Sequence, residues 1–275
     1  MESYVIKQDA SKKTITVADV QLVLLSMLKD VDAICKKHNI PYFLNGGSAL
    51  GAYRHQGFIP WDDDVDIALM DNDYKRFLEV IVDELKEDYV VHAYSLNRSY
   101  NVLIPAMKIR KKGTYVKEAN TLLKNKCTDS DGLFIDVFVY SFVNKNKVLD
   151  LPLRLWNVAL MPLIILLENL NVNPIPLKSL FVFNAKLYGM LNRKSEYIGF
   201  DLTWTFKNPL KPFIFKKSDV FPTQLMQFED IKLPVAHNIK EYLKIAIAPN
   251  FEQLPPIDQQ KPKHIIDVNL EGESP

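Results

Sequence analysis

The segment Trp61-Asp62-Asp63-Asp64-Val65-Asp66 sets four aspartates within five residues. Carboxylates this close repel one another unless something cationic lies among them. A solvated acidic turn is one reading. The residues that follow favour another, because Val65, Ile67, Ala68, Leu69 and Met70 make an apolar stretch of strand character. Side chains alternate faces along a strand, so Asp64 and Asp66 point one way while Val65 and Ile67 pack opposite. Two carboxylates at the start of a buried strand suit a hard divalent cation, Mg²⁺ or Mn²⁺. Asp63 is expected to point away, in a structural role. Asp62 shares the parity of Asp64 and Asp66, and either joins the ligands or caps a turn.

Two further pieces belong with this strand. Upstream, Gly46-Gly47-Ser48 lies between a short apolar strand, Tyr42-Phe43-Leu44, and a short helix expected from Ser48 to about Gln56, with Gly57 as its stop. Glycines let backbone N–H groups approach a ligand closely, and a helix N-terminus favours anions. Alone, such a tripeptide is more often a plain turn; its meaning comes from its position before the acidic strand. Downstream, residues 133–140 (LFIDVFVY) read as a buried strand with one charge, Asp136. An unpaired buried carboxylate is costly. Three readings stay open for it: a salt bridge to a distant Arg or Lys, a hydrogen-bonded structural acid, or a third ligand beside Asp64 and Asp66. A phosphate cradle, a two-carboxylate metal site and a third carboxylate are the parts needed for transfer at phosphorus. One of the carboxylates then takes the proton of an attacking hydroxyl.

These parts need a frame. Val17, Val20, Leu24, Met27, Leu28, Val31 and Ile34 recur at helical spacing, and Lys36, Lys37 and His38 suit that helix's C-terminus. Tyr74, Phe77, Leu78, Ile81, Val82 and Leu85 predict a second amphipathic helix, capped by Asp71 or Asn72. Strands are expected at 89–94, 102–109 and 114–116. From about Asn144 the chain becomes strongly apolar. The longest uncharged stretch, 155–167, contains Pro162 and is short for a bilayer span. A buried helical pair is favoured for 149–191, with an interfacial membrane contact as the alternative. A hairpin (MQFED, IKLPV), a helix near Asn238 and a proline-rich tail wrapping the core complete the chain. The expected layout is a catalytic core (1–143), an apolar helical insertion (144–215) and a C-terminal hairpin, helix and tail (216–275).

The bulk composition narrows the function classes. The chain has 275 residues, 48% apolar and 24% charged, with a formal net charge of +1, so there is no field to draw in nucleic acid. Cys35 and Cys127 lie far apart, without zinc-motif spacing and without a secreted disulfide pattern. The N-terminal residues lack an apolar signal region, which makes a cytoplasmic location the expectation.

The run from Tyr42 to Asp66, YFLNGGSALGAYRHQGFIPWDDDVD, closely resembles the signature of the LicD family, which includes bacterial phosphocholine transferases and is related to the fukutins. Looser likeness covers the helix ending Cys35-Lys36-Lys37-His38, the Lys108-Ile109 strand, the segment Gly132 to Phe138, Phe228-Glu229-Asp230 with Pro234, and Leu254-Pro255-Pro256. The resemblance implies an α/β (α+β) fold, a nucleotidyltransferase-like mixed sheet flanked by helices, here with an appended apolar helical region. It also implies a reaction in which phosphocholine, phosphoribitol or a similar substituted phosphate moves from a CDP-linked donor to a sugar hydroxyl, releasing CMP. Carried over by position, Asp64, Asp66 and Asp136 hold Mg²⁺ or Mn²⁺ and perform the chemistry, and Gly46, Gly47 and Ser48 hold donor phosphate. Relatives often have Pro and an acid where Val139-Tyr140-Ser141 stand here, and Tyr-Gly where Ala248-Pro249-Asn250 stand, so the head group is left open.

Other residues carry two readings each. Arg54 and His55 either close their helix or face phosphate and the acidic strand. Lys108, charged within an apolar strand, contacts donor phosphate, pairs with Asp136, or does both. His264 is expected at the site rim, and Trp61 as a turn anchor. The expected partners are the CDP-linked donor and a glycan or lipid-linked glycan acceptor. Residues 149–191 form the acceptor side and touch the inner face of the cell membrane peripherally. The competing functions are a nucleotidyltransferase moving NMP from an NTP, a glycosyltransferase, and a non-catalytic envelope-assembly scaffold.

Overall fold

Thr16 begins the ordered core by capping a long helix: its hydroxyl accepts from the Asp19 N–H, and the Asp19 carboxylate accepts from the Thr16 N–H at 2.8 Å. The computed structural model of the chain describes residues 4–8, 14–120, 122–123, 125–202 and 211–271. Two short strands, β1 (Val5–Gln8) and β2 (Thr14–Thr16), precede the helix α1 (Val17–Lys37). All seven apolar positions predicted for its buried stripe are buried.

Strand β3 (Phe43–Leu44) leads into α2 (Gly46–His55), then β4 (Asp66–Met70) and α3 (Asp71–Glu84). Helix α2 starts two residues before the expected Ser48 and ends at His55, one short of the expected Gln56; the left-handed residue that stops it is Gln56, at φ 56°, in place of the expected Gly57. Strand β4 begins only at Asp66, because Asp62 closes a turn onto Ile59 and Asp63 is held by the C-terminal tail. Asp71 and Asn72 lie inside α3 and do not cap it; Asp71 and Asp73 complement the dipole of its first turn.

Next come β5 (Tyr89–Ala93), β6 (Met107–Lys111), β7 (Tyr115–Glu118) and β8 (Phe134–Phe142). The strand expected over 102–109 starts at Met107. Residues 100–104 are instead a buried loop, turned by the Asn101 side chain accepting from the Leu103 N–H, and packed on a separate apolar cluster with Ile164 and Phe181. The rest comprises α4 (Lys147–Asn169), α5 (Ile175–Leu191), β9 (Tyr197–Phe200), β10 (Phe215–Lys216), α6 (Lys217–Val220), the hairpin β11 (Gln224–Phe228) and β12 (Ile231–Val235), α7 (Ile239–Ala246) and β13 (Ile265–Asn269).

The main sheet has seven strands and is mixed, an α+β arrangement with seven helices among the described residues. Strands β4 and β8 run parallel at its centre, in the register Asp66↔Asp136 to Met70↔Tyr140. The other side of β8 is shared: its first half pairs with β6 and its last residues with β9, both antiparallel. The tail returns over the core as expected, with β13 pairing antiparallel to β7. Helices α4 and α5 pack together, but the expected burial holds for one side only; Trp156 and Phe183 are 54% and 61% exposed. Cys35 and Cys127 are both buried free thiols. Cys127 does lie beside His92 and Asp129, with ligand atoms within 4.8 Å of one another, but both His92 ring nitrogens are already hydrogen-bonded, to Asn125 and Asp129.

Candidate active site

Three neighbouring strands carry one charged residue each in a row. Asp66 on β4 stands in register with Asp136 on β8, and Asp136 with Lys108 on β6. Adjacent strands lie about 4.8 Å apart, so the three side chains share one face of the sheet within contact range. Lys108 is only 3% exposed; its ammonium is 2.8 Å from Asp136 Oδ1 and 3.2 Å from Glu118 Oε2. It also lies 3.4 Å over the Phe134 ring. Of the three readings open for Asp136, the ion pair is therefore realised, with Lys108 as the distant cation. Glu118, which also accepts from Arg110 at 2.5 Å, was not singled out in the sequence. The signal for it was there: Lys108 and Arg110, two apart and flanking Ile109 on a strand, share a face and need an acid opposite.

The glycine loop lies against these carboxylates. Gly46 has φ +49°, a conformation that side chains other than glycine's rarely adopt. A methyl group on Gly47 would come within 3.1 Å of Asp62 Oδ2, and one on Gly46 within 3.7 Å of Asp66 Oδ2. Ser48 Oγ accepts from the Asp66 N–H at 2.9 Å, and Asn45 N–H donates to the Asp66 carbonyl at 3.0 Å. Ser48 thus positions Asp66, and its hydroxyl hydrogen remains free to donate. Asn45 Oδ1 accepts from the buried hydroxyls of Tyr140 (2.9 Å) and Tyr242 (2.7 Å), and Tyr242 in turn accepts from the Gly46 N–H at 3.1 Å. Tyr242 comes from α7, nearly 200 residues away, and nothing near the loop in sequence announces it.

The acids ahead of β4 divide their work. Asp63, 1% exposed, accepts from the backbone N–H groups of Lys263 (3.2 Å), His264 (3.0 Å) and Ile265 (2.7 Å), which realises its expected structural role. Removing this carboxylate leaves three backbone donors near the tail strand without their acceptor. Asp63→Ala is expected to cost about 1–3 kcal/mol. Chemical denaturation measures that loss, and faster proteolysis of the tail beyond Pro249 locates it. Through this anchor, His264 Nε2 stands 3.3 Å from Asp64 Oδ2, at the rim as expected. Ligand atoms of Asp62, Asp63, Asp64 and His264 all lie within 4.8 Å of one another.

Burial, and then the neighbouring carboxylates, govern the protonation of this group. Burial pushes Asp64 up to about 6, against the pull of His264 and with a further push from Asp136. Asp66 is raised well above the usual range by burial, then by Asp64, Asp136 and Asp62. Asp62 is raised by burial and then by Asp64 and Asp63. Asp136 is raised by burial, with Lys108 opposing. Crowded, half-buried carboxylates with one imidazole at the rim form an oxygen-rich donor set, and a divalent cation fits it by charge and by ligand type.

Arg54 and His55 lie at the end of α2. One Arg54 amino group donates to the carbonyls of Phe251 (3.3 Å) and Gln253 (3.2 Å), and its Nε donates to His55 at 3.0 Å. Asp62 is near enough to favour the Arg54 charge, although burial is the larger influence and lowers its pKa. In this conformation Arg54 ties the 251–253 turn to the site. Trp61 packs edge-on to His55 at 6.3 Å and to Tyr4 at 6.5 Å, as a turn anchor does.

Residues 39–153 match the family model described as LicD/FKTN/FKRP, nucleotidyltransferase domain. That stretch, less than half of the chain, is similar to the LicD family's domain. The match contains the glycine loop, the four aspartates, Lys108, Glu118 and Asp136; Tyr242, His264 and the late part of α4 lie beyond the LicD domain's matched residues. The chain is 32% identical over 147 residues to the lipopolysaccharide cholinephosphotransferase LicD of Haemophilus influenzae, covering 51% of this chain and 50% of that protein. It is 39% identical over 79 residues to an uncharacterized protein of Rickettsia typhi, covering 28% of this chain and 26% of that one. A protein of Rickettsia prowazekii, also uncharacterized, is 38% identical over 81 residues, 30% of this chain and 29% of its own. The matched stretch thus spans half of the Haemophilus protein and under a third of each Rickettsia protein.

Proposed function

We propose that this protein is a divalent-metal-dependent transferase. It moves a substituted phosphate, such as phosphocholine or phosphoribitol, from a CDP-linked donor to a sugar hydroxyl of a cell-surface glycan, a lipopolysaccharide or a teichoic acid precursor, and releases CMP. The observation that carries this reading is the register of Asp66 against Asp136, with the Gly46-Gly47 backbone laid over the same carboxylates. The Haemophilus relative, named as a cholinephosphotransferase, supports the phosphocholine class. The reaction is assigned to the cytoplasm, in keeping with two buried thiols that are not disulfide-bonded.

The acceptor hydroxyl oxygen attacks the phosphorus that bears the head group. A new O–P bond forms, the bond from that phosphorus to the bridging oxygen breaks, and CMP departs with the electron pair. The hydroxyl proton passes to one of the site's carboxylates. Asp62, Asp64, Asp66 and Asp136 are the residues that would hold a metal ion, with His264 at the rim. When bound, Mg²⁺ or Mn²⁺ supplies charge neutralisation for the phosphate oxygens and the leaving group. Gly46 and Gly47 bring backbone close to the donor phosphates, Ser48 holds Asp66 in place, and Lys108 favours the ionised form of Asp136 against the effect of burial.

Thermal unfolding with a ligand panel tests the reading. CDP-choline, CDP-ribitol, CDP-glycerol, CDP-ethanolamine, UDP-sugars and NTPs are each added with Mg²⁺ and again with EDTA. A ligand that binds only the folded state at about 100 times its Kd adds about 2.7 kcal/mol. A metal-dependent shift with one CDP-linked compound is expected. A shift with NTPs alone, with pyrophosphate as product, would replace this function with nucleotidyl transfer, and a shift with UDP-sugars alone with glycosyl transfer.

A further inference from the structure

The helical pair α4–α5 is built inside out. Along α4, the inward stripe carries Asp150, Arg154, Asn157 and Glu168, exposed by only 3%, 6%, 0% and 5%. From α5, Lys178 and Asn184 join them, at 0% and 5%. These groups satisfy one another. Arg154 donates to both oxygens of Asp150 at 2.8 and 2.9 Å, Lys178 pairs with Glu168 at 2.8 Å, and Asn184 donates to Asn157 at 2.8 Å. The outward stripe of α4 carries Leu149, Leu155, Trp156, Leu163, Leu166 and Leu170, each at least 44% exposed. Leu149, Trp156, Leu163, Leu166 and the C-cap Leu170 follow one another at intervals of seven, seven, three and four, and Leu155 falls on the same side, so they line a single face along the helix's length of about 35 Å. On α5, Phe183 and Leu191 are likewise exposed, at 61% and 67%.

Against water this arrangement is the wrong way round, since apolar side chains gain by leaving water and paired charges lose by it. Against an apolar medium it is the right way round. One end of the pair is basic as well. Asn144 and Asn192 are hydrogen-bonded at 3.1 Å, which brings the start of α4 to the end of α5. Lys145, Arg193 and Lys194 are exposed there, beside one exposed carboxylate, Glu196. The stretch Val148–Asn169 has a mean hydropathy of 1.6, enough to cross a membrane by length and composition. Yet α5 is fastened to the core: Tyr188 accepts from the Asn144 N–H at 2.9 Å, and Gly189 packs against Ser141 of β8. A pair held this way lies along a surface.

We propose that the outward face of α4–α5 docks the protein on the surface of a lipid bilayer rich in anionic headgroups. Helix α4 lies in the interface, Trp156 enters the acyl boundary, and the basic end meets headgroup phosphates. The inference rests on the polarity of the pair and stands independently of the transferase reading.

The test is flotation of the full chain with vesicles of phosphatidylglycerol and phosphatidylcholine in equal parts, and with phosphatidylcholine alone. The wild type is expected to float with the anionic vesicles. Leu163→Glu/Leu166→Glu, which alters exposed positions only, is expected to bind at least about tenfold less while unfolding at the wild-type midpoint. Lys145→Glu/Lys194→Glu is expected to weaken binding to anionic vesicles, the loss shrinking as salt is raised. Brominated acyl chains quench the wild-type tryptophan emission, and Trp156→Phe removes that quenching. Wild type that stays with the pellet for both vesicles would overturn the proposal. So would a leucine double variant that floats like wild type. A wild-type dimer that binds no vesicle, and that the leucine variant dissociates, would give the face to a second copy of this chain.

Discussion

Asp66→Asn is expected to lower transfer by about a thousandfold while leaving a metal-free protein that melts higher than the wild type. The first effect follows from position. Asp66 stands opposite Asp136 and under Gly46, and a metal's stabilisation of transition-state charge is worth several kcal/mol, about tenfold per 1.36 kcal/mol. The second follows from like charges. Asp64, Asp136 and Asp62 all press against the Asp66 carboxylate, and burial adds to that pressure. Asparagine keeps the shape and removes one of the repelling charges, so the folded state without metal gains. Functional sites commonly hold such destabilising features. Initial rates with a CDP-linked donor and Mg²⁺ measure the first effect, and unfolding in EDTA measures the second. A variant that is inactive and also less stable in EDTA would make Asp66 a structural acid instead.

Lys108→Met is expected to be the most destabilising single change near the site. The ammonium is 3% exposed and lies 2.8 and 3.2 Å from two different carboxylates, Asp136 and Glu118. Removing one partner of a buried pair leaves an uncompensated charge, at about 3–5 kcal/mol. Arg110 remains beside Glu118 and offsets part of the loss there; Asp136 is left with no cationic hydrogen-bond donor among the described residues, only the more distant charge of Arg110. Adding Asp136→Asn to Lys108→Met is therefore expected to recover much of the stability and none of the activity. Urea unfolding of the two single variants and the double variant completes the cycle. If Lys108→Met keeps full stability and loses only activity, the lysine serves donor phosphate and the ion pair contributes little.

The parts of this site that were legible are those whose signal is local. Short, nearly continuous apolar runs at 65–70 and at 133–140 mark the two central strands, and a 3.6-residue period marks α1 and α3. The mixed sheet with flanking helices was implied by the likeness over 42–66 and not by these patterns themselves. Contacts made across the fold were not legible. Glu118 reaches Lys108 from β7, a strand paired with the tail strand β13 and not with β6; Tyr140 and Tyr242 converge on Asn45 from a strand and a helix far apart in sequence. Asp63 was assigned a structural role by parity, but its partners are amides of the distant tail, and no period encodes that. The exposure of α4 was hidden for another reason. Its apolar run resembles a core helix, and only the packed structure reveals that its scattered charges face inward.

The central claim is that the carboxylates around Asp66 hold a divalent cation that the chemistry uses. Titration of Mn²⁺ followed by electron paramagnetic resonance tests it most directly, on wild type, Asp64→Asn, Asp66→Asn and Asp63→Asn. The account predicts loss of the free-ion signal with wild type, little loss with Asp64→Asn or Asp66→Asn, and near-wild-type binding with Asp63→Asn, whose side chain serves the tail. Equal Mn²⁺ binding by wild type and Asp66→Asn would contradict it.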